Sequence, residues 1–227
     1  MKFDEPALRS PLWDLAGFAL GLSLAWLLDW QTRDLVWGLW LSSFVLGYFS
    51  IVVGILGGVN RAAGPRNPIG WLLGLIPGLF LLAFFTVHFG GFHFVHSIFL
   101  NLFFPISPET KTNFGPGLHG YLLVLRDYWP WLFAAAIAER SILVKAWRGS
   151  MKNEPGRDRP HKMARPEFNP MLAYVNVVRM HLLIFFFAGT HALGIDNFAI
   201  YAVVYAVYFF PWSLAKGWMA TRKAAPG

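Results

Sequence analysis

The feature that most constrains this chain is a series of apolar runs, each long enough to cross the hydrocarbon core of a bilayer. A core of about 30 Å takes about 20 residues of α-helix. The runs cover residues 12–28, 35–59, 68–89, 131–144, 171–193 and 198–214, and the fourth may be counted from residue 118 if residues 118–130 share its helix. The sequence therefore predicts one all-α domain over residues 1–227, a polytopic transmembrane helical bundle of about six spans.

A glycine pair, Gly90-Gly91, interrupts the apolar stretch that begins at Pro68. A single helix over residues 68–104 would be too long for one span. We therefore expect span three to end at Phe89. A separate short helix over residues 92–104, apolar and rich in aromatic residues, is then expected to lie in the membrane interface or to re-enter the membrane.

Composition and charge support a membrane protein and set its orientation. The chain is 56% hydrophobic and 14% charged, which excludes an ordinary water-soluble domain. Its net charge of +7 does not indicate nucleic-acid binding, because the basic residues lie between the apolar runs, where they meet membrane lipids. Most of the 19 Lys and Arg residues fall in segments predicted to be cytoplasmic, including a basic loop over residues 148–168. We expect an inner-membrane protein with both termini in the cytoplasm.

Histidines gather on the predicted outer side of the membrane. Neutral imidazole is the commonest metal ligand in proteins, and the absence of cysteine excludes thiolate sites. The spacing between histidines is short for two stacked haem layers, which disfavours a haem bundle. A site for copper or iron, in preference to zinc, is therefore predicted from five residues, although each could instead serve as an interfacial aromatic ring. The five are His88, His93, His96, His119 and His191.

Three ionisable residues lie inside predicted spans, namely Glu139, Arg179 and His181. A charge at the centre of a bilayer costs at least about 2.5 kcal/mol, so such residues should face the bundle interior with a partner. They predict either a proton or ion relay or a structural ion pair. Arg140 is expected to reach the cytoplasmic headgroups, and Asp14 is expected to be solvated at a span end.

Two further patterns predict packing rather than chemistry. Small residues recur every three or four positions on one face of span two, which lets helix backbones approach each other. They are Ser43, Gly47, Ser50, Gly54 and Gly58. Tryptophans are expected in the belts at the two membrane surfaces. They include Trp30, Trp37, Trp129 and Trp131.

The chain resembles a family of uncharacterised multi-pass membrane proteins of unknown function from bacteria and archaea. The resemblance is carried by Phe84-Phe85-Thr86-Val87-His88-Phe89-Gly90 with His96, by Glu139 to Ser141, by Arg165-Pro166 and by Val178-Arg179-Met180-His181. The chain departs from the family pattern near Glu139, where the family has a histidine, and before His181, because the family's arginine lies further upstream than Arg179. The resemblance implies a helical membrane fold and prominence for His88, His96 and His181, and it supplies no substrate.

Three functions from different classes stay open. The leading hypothesis is a membrane protein that binds copper or iron through its outer histidines, for redox chemistry or metal handling. The second is a non-catalytic accessory or scaffolding subunit of a larger respiratory, photosynthetic or transport complex. The third is a small proton-coupled transporter that uses Glu139, Arg179 and His181. No residue is assigned a catalytic role by the sequence.

Overall fold

The structure is a computed structural model, and it describes most of the first two thirds of the chain and short segments of the rest. The described residues are 11–63, 68–112, 114–151, 178, 182–183, 185–190, 192–195 and 202–206. Most of the predicted fifth and sixth spans, and the basic loop from residue 152 onward, lie outside them. The described part is all-helical and contains no β-strand.

Four long α-helices and one short 3-10 helix make up the described fold. They are α1 (Pro11–Leu27), α2 (Thr32–Ala63), α3 (Pro68–Phe103), the 3-10 helix (Pro108–Thr112) and α4 (Gly117–Met151). Two of them, α2 over Thr32–Asn60 and α3 over its full length, are long and apolar enough to cross a membrane. Because each residue of an α-helix advances about 1.5 Å, α3 is about 54 Å long.

The turn between α1 and α2 is fixed by backbone hydrogen bonds. Asp29 adopts a positive φ of 51°, and the N–H of Trp30 donates to the carbonyl of Ala25 at 2.8 Å, which ends α1 in a Schellman arrangement. At the start of α2, the carboxylate of Asp34 accepts the backbone N–H of Gln31 at 2.8 Å. This is the return half of a capping box, so the first turn of α2 is capped by its own side chain.

Helix α3 runs without interruption through Gly90 and Gly91, so the predicted helix break after Phe89 and the separate helix over residues 92–104 are wrong. A glycine inside a helix costs only about 1 kcal/mol relative to alanine. On either side of the pair, Phe89 and His93 are buried against α2. The free energy gained by this packing exceeds the cost of the two glycines, so the helix continues through them.

Helix α4 likewise continues through Pro130, which answers whether residues 118–130 belong with the fourth predicted span. They form the first third of the same helix. The aromatic side chains of Tyr128 and Trp131 on either side of Pro130 are both buried. Proline removes one helical hydrogen bond, and burial of these two rings compensates for that loss.

Helix α2 packs against both α3 and α4, and α1 packs against α4. A cluster of buried aromatic residues forms the main core where these helices meet, together with Tyr205 from the described segment 202–206. Its largest members are Trp30, Trp37, Trp40, Tyr128, Trp131 and Phe187. The expectation that Trp30, Trp37 and Trp131 lie in a surface belt is therefore wrong, whereas Trp129 is exposed as expected. Tryptophan composition does not distinguish an interfacial ring from a core ring, because both environments favour large amphipathic side chains.

Candidate functional site

The last third of α3 carries four buried polar side chains on one face. We name this set the polar stripe: His93, His96, Ser97 and Asn101, of which none is more than 2% exposed. Their spacing of three and four residues places them on one side of a helix, and that side faces α2 and α4. Buried polar groups in an otherwise apolar helix need partners from their neighbours, so the partners define the site.

His93 is held in one orientation by α2 and by its own helix. Its Nδ1 lies 3.0 Å from the carbonyl oxygen of Phe89, and its Nε2 lies 3.3 Å from the Oγ of Ser43. A carbonyl oxygen can only accept, so Nδ1 carries the proton and Nε2 of the neutral ring presents its lone pair towards Ser43. Rings of Trp40, Phe44 and Phe89 surround the imidazole.

His96 stands beside His93, one turn further along the same face. The two ring centroids are 6.1 Å apart, and the rings are almost perpendicular. Ser97 donates to the carbonyl of Phe94 at 2.6 Å, and its Oγ therefore accepts from the hydroxyl of Tyr121 on α4 at 2.7 Å. The polar stripe is thus bound to α2 through Ser43 and to α4 through Tyr121.

At the far end of the stripe, Asn101 contacts the segment around the 3-10 helix. Its Nδ2 donates to the carbonyl of Thr110 at 2.7 Å. The Oγ1 of Thr110 in turn donates to the carbonyl of Ser107 at 2.8 Å and accepts the backbone N–H of Ser107 at 3.2 Å. These bonds hold the 3-10 helix across the end of α3.

Of the five histidines predicted to form a metal site, the structure brings His93 and His96 together and leaves two others apart. His88 is exposed, with its ring stacked on Phe84. It precedes His93 by five residues, which turns it by about 140° to another face of the helix. His119 is exposed in the first turn of α4, and His191 lies outside the described residues. Among the described residues, no group of three or more His, Asp or Glu side chains is placed to hold a metal ion.

The three predicted intramembrane residues are only partly covered by the structure. Glu139 is half-buried on α4, whereas Arg179 and His181 lie outside the described residues. Arg140, expected at the headgroups, instead binds across to α1. Its Nη1 lies 2.6 Å from the Oδ1 of Asp14 and donates to the carbonyl of Ile137 at 2.8 Å. The expectation that Asp14 is simply solvated is therefore wrong, because an ion pair joins the first turn of α1 to α4.

Two elements of the site were missed by sequence reasoning. One is the buried pair in which the hydroxyl of Tyr128 donates to Asp34 Oδ1 at 2.7 Å, joining residues 94 positions apart in sequence. The other is the pairing of Ser97 and Asn101 with Tyr121 and Thr110. The sequence did hold a signal for the second: His93, Ser97 and Asn101 recur every four residues in an apolar segment, which predicts a polar face.

Of the small residues on α2, several do lie at the contact with α3. Ser43 reaches His93, and Gly47 is covered by the ring of Phe89. Ser50 and Gly54 are buried in the same helix, and the hydroxyl of Ser50 donates to the carbonyl of Leu46. Gly58 has no neighbouring atom within 4 Å of the place where a β-carbon would stand. Close approach of α2 and α3 therefore occurs near Gly47, and also where Gly78 of α3 meets Val59 of α2.

The described part of the chain defines an all-helical protein in which two helices are long and apolar enough to span a membrane, with a histidine pair buried between its helices. The chain belongs to a family of unknown function, DUF6498, whose model matches residues 12–214. This confirms the prediction that it belongs to an uncharacterised family, and the motif from Phe84 to His96 stays a prediction. No curated protein and no solved structure matches the chain.

Proposed function

We propose that the chain is a multi-pass inner-membrane protein that binds one transition-metal ion, copper or iron, at His93 and His96. In this proposal both termini are cytoplasmic, and the histidine pair lies within the bundle near the outer side of the membrane. The ligand set is narrower than the five histidines that the sequence suggests. His88 and His119 are left out because their side chains are exposed on other surfaces.

The observation that carries the proposal is the hydrogen bond from His93 Nδ1 to the carbonyl of Phe89. Metal-binding histidines nearly always donate their second ring nitrogen to a carbonyl or carboxylate, which fixes the tautomer and aims the other nitrogen at the metal. Here the aimed nitrogen is Nε2, on the side of Ser43.

The position of His96 supports a shared ion. Two imidazoles that bind one ion at about 2.0 to 2.1 Å place their ring centroids about 5 to 6 Å apart, depending on the angle at the metal. The observed 6.1 Å lies just beyond the wide end of that range. Hydroxyl groups, water or residues of the later spans would complete the coordination. Imidazole and oxygen ligands suit copper and iron.

Metal content of the purified protein tests the proposal directly. We expect close to one copper or iron ion per chain after purification without chelator, and loss of most of it in His93→Ala and His96→Ala. The matched control is His88→Ala, which removes an exposed imidazole of the same helix and should leave the metal content unchanged. Equal losses in all three variants, or no metal in the native protein, would reject this site.

A second function, an accessory subunit of a larger membrane complex, is favoured by the surface of α3. Only 17% of the apolar window of α3 is buried, against 50% for α2. Its exposed side chains include large rings such as Phe80, Phe84, Phe94 and Phe99. Such a surface fits either lipid or another subunit. A colourless, metal-free protein that is purified from mild detergent together with defined stoichiometric partners would support this alternative.

A further inference from the structure

We propose that the histidine pair is reached from the end of the bundle where the 3-10 helix lies, along the polar stripe of α3, and that the 3-10 helix closes this path. The proposal deepens the proposed function and rests on the histidine pair being the site that an ion has to reach. It concerns the direction of access and the element that controls it. The opposite end of the site is sealed by apolar side chains.

The polar stripe supplies the route. From His93 through Ser97 to Asn101 it follows one i, i+4 row of the helix for eight residues, or about 12 Å along the helix axis, and the fully buried Leu100 lies beside this row. Ser97 lies midway, where its hydroxyl accepts from Tyr121 on α4. An ion or its water shell moving between α3 and α4 would exchange one polar partner for the next. This lowers the cost of entering an otherwise apolar bundle.

Beyond His93 the polar character stops abruptly. The next residue on that face is Phe89, which is fully buried and whose ring stands against Gly47 of α2. Ile51 and Ile55 pack around the same ring, and together these three residues form a separate apolar core. No polar side chain of the described part of α3 is buried between Phe89 and Pro68. A charged ligand therefore has a favourable approach from one end only.

The 3-10 helix, Pro108–Thr112, is placed to act as the closing element. The bond from Asn101 Nδ2 to the carbonyl of Thr110 connects this element to α3. Asn101 is also the outermost member of the polar stripe. Asn101 would therefore both guide an ion inward and hold the 3-10 helix over the path.

Two buried oxygen atoms at this point lack hydrogen-bond partners within the described structure. They are the Oδ1 of Asn101 and the Oγ of Ser107, and both residues are hydrogen-bonded to Thr110. Buried polar atoms without partners commonly mark the place of an ordered water or ion. A pair of such oxygens at the outer end of the stripe is what a hydrated entrance requires.

Because the chain contains no cysteine, single introduced thiols can report which side reaches the stripe. The probe is Ser97→Cys, in full-length protein in right-side-out and inverted membrane vesicles, treated with a membrane-impermeant maleimide. Phe114 is 85% exposed beside the 3-10 helix, and labelling of Phe114→Cys therefore shows on which side of the membrane this end of the bundle lies. Ser50→Cys, a buried serine of α2 on the other side of Phe89, is the matched control. All three should react completely after denaturation.

We expect Ser97→Cys to react slowly, and only in the vesicles in which Phe114→Cys reacts, while Ser50→Cys reacts in neither. Adding Asn101→Leu, which keeps the side-chain size but removes the bond to Thr110, should raise the rate at Ser97→Cys about fivefold or more. If Ser97→Cys does not accumulate in the membrane, labelling of Ser43→Cys tests the same path, because Ser43 lies next to His93 Nε2.

Labelling of the stripe from the opposite side, equal labelling of Ser50→Cys, or no response to Asn101→Leu would each overturn the proposal. These outcomes are distinct from failure of the proposed metal site, because labelling does not require a bound ion. One-sided labelling in a protein that contains no metal would leave the access path standing and reject the metal.

Discussion

The ring of Phe89 on α3 occupies the space left by the missing side chain of Gly47 on α2. A β-carbon at position 47 would lie 2.6 Å from the Cζ of Phe89, closer than real β-carbons approach their neighbours. Phe89 is fully buried and packed against His93, so its ring has no room to move away. This contact holds α2 and α3 close together beside the histidine pair.

Gly47→Ala should therefore destabilise the protein by about 1 to 3 kcal/mol, because an added methyl group overpacks the α2–α3 contact. The control is Gly58→Ala on the same helix, where nothing lies within 4 Å of the new β-carbon. That change should be neutral or stabilise by up to about 1 kcal/mol. Unfolding in SDS, followed by circular dichroism, measures both, and equal effects at the two glycines would contradict the packing described.

Continuity of α3 through Gly90 and Gly91 gives a second prediction. A β-carbon at either position meets no atom within 4 Å, and both residues are helical. Gly91→Ala should raise the free energy of unfolding by about 0.5 to 1 kcal/mol, since alanine is the better helix former. If the glycine pair instead marked a break between two helices, the same change would lower stability, and the midpoint of SDS unfolding would move in the opposite direction.

The hydrogen bond from Tyr128 to Asp34 should contribute more to the free energy of unfolding than a hydrogen bond at the exposed surface. Tyr128→Phe leaves a buried carboxylate oxygen without this donor and should cost about 1.5 to 3 kcal/mol. Tyr48→Phe is the matched control: its hydroxyl bonds the exposed Thr86, which also donates to the carbonyl of Leu82 and so keeps a partner. Thermal unfolding in detergent should separate the two variants, and a larger loss for Tyr48→Phe would contradict this ranking.

The ion pair between Asp14 and Arg140 should couple α1 to α4. In a double-mutant cycle with Asp14→Asn and Arg140→Gln, we expect a coupling energy of about 1 kcal/mol, because the Arg140 side chain is only 13% exposed while that of Asp14 is 39% exposed. The exposed neighbours Arg126 and Asp127 provide the reference cycle and should show no measurable coupling. A coupling at Asp14 and Arg140 no larger than the reference would mean that the pair does not hold α1 in place.

The helical class follows from the amino-acid sequence alone, because apolar runs of about 20 residues leave few alternatives to membrane-length helices. The sequence also bounded the first helix closely, because the predicted run over residues 12–28 differs by one residue at each end from α1, Pro11–Leu27, and it included His93 and His96 among the candidate metal ligands. It could not show that α3 passes through Gly90 and Gly91. Local propensity disfavours that path, and only the burial of Phe89 and His93 against α2 compensates.

Which polar residues meet depends on how the helices pack in three dimensions. Asp34 and Tyr128 are far apart in sequence, as are Asp14 and Arg140. In both pairs, the local sequence around one residue gives no indication of its partner. The same holds for His88, which shares a helix with His93 but not its face. Partner choice depends on how whole helices cross and rotate, and that is set by summed packing over many side chains rather than by any short pattern.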